Sequence, residues 1–302
     1  MPGDVGRHAQ GTGAPAHLAL LLLLQFPQAV TVGRVTAVAW PGHEPLARSL
    51  ATAADRTPPF PGVGPLLNRP IRLILAPTRA DFDSLTHGRM PAWSEGAAFP
   101  EAGTIVLLAN RRPDRVAAAL RHELAHLALR WRLSHPPPLW FDEGYAAFAA
   151  GEWDRLEALR LNWQLARGVR MSLADVDRAL RSDAADAQAA YALATTAVLL
   201  LNRWGGAQGL APLIEQLDER ATFDAALRAT YHVTDEDFEA RWRREVASRY
   251  GWLSWAGAVG LFWALLALLL VSLVGMRRRR DRARKALLDE GWTVPEDEGP
   301  SA

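Results

Sequence analysis

RHELAHLAL, residues 121–129, sets two histidines four positions apart with a glutamate directly after the first. On an α-helix residues four apart stand one turn above each other, so His122 and His126 point the same way and can both reach one ion, with Glu123 beside them. This is the geometry of the H-E-x-x-H zinc site, in which two imidazoles bind the metal and the glutamate takes a proton from the water that the metal activates. The surrounding sequence reads as a helix, because Pro113 and Asp114 suit a first turn and the next breaker is SHPPP, residues 134–138. The competing reading is an ordinary apolar helix whose histidines are satisfied by backbone or carboxylate partners.

A catalytic zinc site needs a third protein ligand and an open fourth position. His135 lies nine positions after His126 and follows no glycine turn, so the variant with a third histidine on the same motif is absent. Pro136–Pro138 stops the first helix and lets the chain turn back; between two helices a stop is a better account of the prolines than a polyproline ligand. The next helix, LWFDEGYAAFAAG, residues 139–151, offers Asp142 and Glu143 among Trp, Phe, Tyr and Ala. Two carboxylates in such surroundings are costly unless they meet a cation or hydrogen-bond donors.

Composition narrows the chemistry further. The chain has 302 residues, 49% of them apolar, and a formal net charge of +1, which suffices for a sizeable core and argues against a nucleic-acid partner. There is no cysteine, which removes disulfides, thiolate zinc sites and cysteine nucleophiles together, so any metal must be held by His, Asp or Glu.

HELAH followed by Glu143 in LWFDEGYAAF resembles the gluzincin metallopeptidases, and most closely the peptidase MA-like domains. The resemblance covers roughly residues 31–204 and rests on those two short motifs. It implies a Zn2+ peptidase acting on peptide or protein substrates, with His122, His126 and Glu143, rather than Asp142, as ligands and Glu123 as the base. It also implies an edge strand above the cleft, a role that falls on GTIVLL, Gly103 to Leu108. A downstream oxyanion stabiliser is expected too. Tyr191 in AAYALATTAVLLL matches best, although a tyrosine packed in a helix bundle is an equal account of it. The sequence departs from the pattern at position 147, an alanine where an aspartate would orient a ligand histidine, so no group outside the ligand set is assigned.

Two segments fall outside a soluble fold. Trp252 to Met276 carries no charge, is long enough to cross about 30 Å of hydrocarbon, begins with Trp252 and Trp255, and is followed by RRRRDRARK. It reads as a transmembrane helix with residues 277–302 as a cytoplasmic tail. Leu18 to Val30 is shorter and broken by Gln25, Pro27 and Gln28, as in a signal peptide or an uncleaved N-terminal anchor. Residues 1–30 are therefore assigned to export and residues 31–251 to a domain outside the cytoplasm.

Within that domain VGRVTAVAW (32–40), RLILAP (72–77) and GTIVLLAN (103–110) read as strands, and EPLARSLATAAD (44–55) and RADFDSLTHG (79–88) as helices. TPPFPGVGP, residues 57–65, is a turn-rich connector. After Asn110 nearly every segment is helical: EWDRLEALRLNWQLA, AQAAYALATTAVLLLNRWG, APLIEQLDER and DEDFEARWRREVASRY follow the two motif helices. The expected fold is α+β: a small mixed N-terminal sheet with helices, a mainly helical zincin-like lobe, and a single C-terminal transmembrane helix. Two other functions compete with the membrane-anchored peptidase: a non-catalytic tethered scaffold on the same fold, and a regulator signalling through the span. The set of ligands together with a base favours the peptidase, since a scaffold needs no base.

Overall fold

The computed structural model describes residues 27–182 and 184–290, without the side chains of residues 184–186, 252–262, 283 and 286–290. The export segment before residue 27 and the tail from residue 291 lie outside the described residues. VGRVTAVAW, which reads as one strand, is a hairpin: β1 (Gln28–Val32) pairs antiparallel with β2 (Val35–Ala39). Gly33 makes the turn at φ 54°, where a side chain would collide with the Asp55 carboxylate that accepts from the Arg34 amide at 3.2 Å. Gln28 to Val30, read as the end of the export segment, thus form the outer strand.

From β2 the chain crosses through α1 (Glu44–Asp55) to β3 (Ile71–Ala76), then through α2 (Arg79–Leu85) to β4 (Gly96–Phe99) and β5 (Thr104–Leu108). The sheet order is β1-β2-β3-β5-β4, with β2, β3 and β5 parallel and the two outer strands antiparallel. This corrects the edge-strand expectation. Gly103–Leu108 is interior, as befits IVLL, residues 105–108, an unbroken apolar run of the kind buried on both faces. The edge is the short Gly96–Phe99 segment, which the sequence reading passed over.

One sheet face carries α1, whose buried Ala47, Leu50, Ala51 and Ala54 lie on a single stripe, and α3 (Pro113–Arg132), which runs beneath β4 and β5. The opposite face is covered by α2 through Phe82, in a small second core with Ala97, Val106 and Leu108. α4 (Leu139–Ala150) returns along α3 and forms the centre of the helical body, packed against α7 (Ala184–Trp204). Around it stand α5 (Arg155–Ala166), α6 (Leu173–Ala179), α8 (Ala211–Glu219), α9 (Phe223–Tyr231) and α10 (Asp235–Tyr250). Rings of Trp140, Phe141, Phe223 and Phe238 meet at centroid distances of 5.1–5.8 Å and join these helices. The structure is the mixed α+β arrangement expected, a small sheet followed by a mostly helical body. α11 (Trp252–Glu290) contains the segment read as a span; among the described residues no helix is long and apolar enough to cross a membrane.

The turn-rich connector is held down from the two motif helices. Arg121 donates to Thr57 Oγ1 (2.9 Å) and to the Ala149 carbonyl (3.2 Å), and its guanidinium lies 4.5 Å from the Phe60 ring centre. Tyr145, fully buried on α4, donates its hydroxyl to the Pro61 carbonyl at 2.9 Å.

Candidate metal centre

α3 presents His122 and His126 one turn apart, with ring centroids 5.0 Å from each other. α4 brings Glu143 across the gap, its Oε2 standing 3.6 Å from the Nε2 of each histidine. One atom from each of the three residues falls within 4.8 Å of the others. Ligand atoms around tetrahedral zinc lie about 3.3 Å apart, given bonds of about 2.0–2.2 Å, so these three donors fit one such ion after small adjustments. The ligand chemistry agrees as well, with two imidazoles and one carboxylate and a side open to the cleft.

The other ring nitrogen of each histidine is fixed by a carboxylate. Asp142 Oδ1 lies 2.8 Å from His126 Nδ1, and Glu152 Oε1 lies 3.0 Å from His122 Nδ1. These bonds favour the tautomers that turn both Nε2 atoms toward Glu143, as in metal sites where a carboxylate orients each histidine. Asp142, the competing candidate on sequence grounds, is thus bonded to the ring of a candidate donor and lies outside the cluster of three. Glu152 had no sequence signal of its own. It reaches His122 because α4 ends at Gly151 in the left-handed region (φ 76°), which swings the chain back across α3.

The electrostatics favour positive charge. Burial pulls the His122 pKa down, but the Glu143 and Glu152 carboxylates outweigh it and push the value up to about 10. His126 is likewise held well above its ordinary value, with burial opposed by Asp142 and Glu143. Burial raises the Glu143 carboxyl, yet the two imidazoles override it and keep the group ionised far below the usual range. Without a cation, this pocket collects protons on its histidines.

Glu123 stands apart from the ligand triad. It is buried, and desolvation raises its pKa while the neighbouring imidazoles restrain the rise. Space for it comes from Gly96 on the edge strand, where an added Cβ would lie 2.5 Å from Glu123 Oε1. Gly144 has a matching role: a Cβ there would lie 2.5 Å from the Ala194 carbonyl, so its absence lets α4 and α7 cross closely. That crossing sets Tyr191 of α7 beside Glu143. Burial, then the charge of Glu143 and a hydrogen bond to it, keep the Tyr191 phenol well above its ordinary pKa and hence a proton donor. Trp93 packs edge-on against the Tyr191 ring at 5.3 Å.

All five residues singled out in the sequence line one cleft of about 1250 Å³, bounded by the 89–95 loop, β4, α3, α7 and the start of α5. A comparison with curated proteins returned no match. Residues 62–248, spanning the cleft and every helix around it, match the family model of the peptidase MA superfamily, and the chain belongs to that superfamily.

Proposed function

We propose that this protein is a zinc-dependent metallopeptidase, anchored in a membrane through Trp252–Met276 with its cleft outside the cytoplasm. The observation that carries the reading is the separation of roles within one cleft: His122, His126 and Glu143 converge as a donor set, while Glu123 sits beside them, buried and outside it. When bound, a zinc ion would polarise the scissile carbonyl and lower the pKa of a coordinated water to about 7. Glu123 accepts the proton of the attacking water and delivers it to the amide nitrogen as the C–N bond breaks, so one residue serves as base and then acid. Tyr191 donates its phenolic hydrogen to the oxygen that gains negative charge. Asp142 and Glu152 keep the two imidazoles turned inward. The free edge of β4 offers backbone groups to an extended polypeptide laid over Glu123. The uncharged length of Trp252–Met276 and the arginines that follow it support the anchoring and its orientation.

The test is metal analysis and peptide hydrolysis on the purified full chain. Glu123→Gln should keep stoichiometric metal and lose hydrolysis by about 10²–10⁴-fold, since a base is removed and not a ligand. His126→Ala and Glu143→Ala should lose the metal. A wild-type chain that binds zinc without cleaving any peptide would favour the tethered scaffold.

A further inference from the structure

Among the described residues the exposed large apolar side chains are confined, apart from Leu67, to α5 and α11. α5 buries Leu161 and Leu165 against the body and turns Leu156, Leu159 and Trp163 outward at 61%, 51% and 60% exposure. At 100° per residue these three fall within about 60° of one another, so they form a stripe and not a scatter. Arg160 and Arg167 border this stripe, both exposed; Arg160 is ion-paired with Glu157 at the rim of the cleft. Exposed leucines and a tryptophan flanked by arginine suit a lipid interface, where apolar side chains enter the headgroup layer and a guanidinium reaches the phosphates.

Continuity in the fold supports the same occupant. α5 packs against both α10 and α11. Trp153, just before α5, meets Tyr250 edge-on at 5.6 Å, and Tyr250 is the last residue of α10, two positions before α11 begins. The preceding residue, Glu152, is the one bonded to His122. A path of Glu152, Trp153 and Tyr250 thus leads from a metal-facing histidine to the foot of the apolar helix, whose Leu265 and Leu268 are themselves exposed.

We propose that the Leu156–Leu159–Trp163 face of α5, with Arg160 and Arg167, docks on the anionic phospholipid surface of the membrane that α11 crosses, and holds the mouth of the cleft at that surface. The substrates in reach are then polypeptide segments lying next to the bilayer. This rests on the membrane-anchored reading above. Arginines among the leucines favour anionic headgroups over an apolar protein partner, and the proximity of α11 brings the bilayer to this face without a further binding step.

The absence of cysteine makes the test direct. The full chain, reconstituted in phosphatidylcholine–phosphatidylglycerol vesicles, would carry a nitroxide on Leu159→Cys, on Leu268→Cys, or on Glu215→Cys of the exposed α8 surface. Power saturation with oxygen and a water-soluble nickel chelate reads the depth of each label. Leu159→Cys should favour oxygen, at a shallower depth than Leu268→Cys, and Glu215→Cys should favour the chelate. Adding Arg160→Gln and Arg167→Gln should move the Leu159→Cys label toward water. A water-exposed label at Leu159→Cys with a lipid-immersed one at Leu268→Cys overturns the docking and leaves the anchor standing. Dipolar broadening at Leu159→Cys would assign the face to a second copy of the chain and overturn it likewise. A water-exposed label at Leu268→Cys would instead remove the anchor, and the docking with it.

Discussion

α4 and α5 are neighbours of equal length, twelve residues each, and they depart from ordinary burial in opposite directions. α4 is buried almost throughout and yet carries Asp142 and Glu143 inward; α5 buries Leu161 and Leu165 on one side and yet turns Leu156, Leu159 and Trp163 to solvent on the other. Carboxylates in an apolar wall are tolerated only with a counter-charge, and an apolar stripe on a surface only with something to cover it. Both helices therefore point to something beyond the folded chain, a cation for one and a lipid surface for the other. If so, changes on α4 should act on metal and catalysis, and changes at Leu156, Leu159 and Trp163 on the outer face of α5 should leave both alone.

The largest effect expected is the pH dependence of metal binding. In the metal-free protein the carboxylates around the site hold His122 and His126 protonated well above pH 6.5, up to about 10 for His122. Binding must expel both imidazolium protons, so affinity should climb with pH by up to about 100-fold per unit in the neutral range. Titration calorimetry in buffers of different ionisation enthalpy counts the protons released. The same shifts act on stability without metal. The histidine contribution is complete below about 6.5 and is lost as pH rises toward 10. That of Glu143 is present above about 4.5 and is lost as pH falls through its lowered value. Chelator-treated protein should melt at the highest temperature between those limits, and a melting temperature that still climbs from pH 7 to 10 would contradict this account.

Next in size is Tyr191→Phe. A hydroxyl that acts on the developing oxyanion should lower kcat by about 10²-fold with KM and metal content near wild type. Unchanged kcat with a lower melting temperature would make Tyr191 a packing residue, held by Trp93. Asp142→Asn and Glu152→Gln should each weaken metal binding by about 10- to 100-fold, because they loosen an imidazole without removing a donor. Full loss of metal in Asp142→Asn, with metal kept in Glu143→Gln, would exchange the roles assigned to these neighbours. The smallest effect closes the comparison. Leu159→Ser on the outer face of α5 should change melting by no more than about 0.5 kcal/mol of stability and leave soluble-peptide turnover unaltered.

The parts of this fold that are local were legible in the sequence. The helical period and the breakers at both ends delimit α3 and α4, and the two motifs on them identify residues that the structure brings together as one cluster. β3 and β5 were both legible as strands, but not their adjacency, because sheet order is decided by pairings with distant segments. α6 and α9, of seven and nine residues, were not read, although α2 and α8 of the same lengths were. Glu152 was invisible for a different reason: its role depends on the direction the chain takes after Gly151, which a glycine permits but does not advertise. Gly96 is the counterpart in the sheet, a residue whose function is the volume it leaves for Glu123.

The donor set and both groups that orient it lie between His122 and Glu152, on one helical hairpin and the turn that follows, whereas Gly96 and the rest of the sheet must be recruited from earlier in the chain. In a folding chain, contacts close in sequence form before parallel strand pairings that require long loops to close. The helical hairpin with the donor cluster and the antiparallel β4–β5 pair with Gly96 are both local in sequence, so each can form before the parallel pairings of β2, β3 and β5 close.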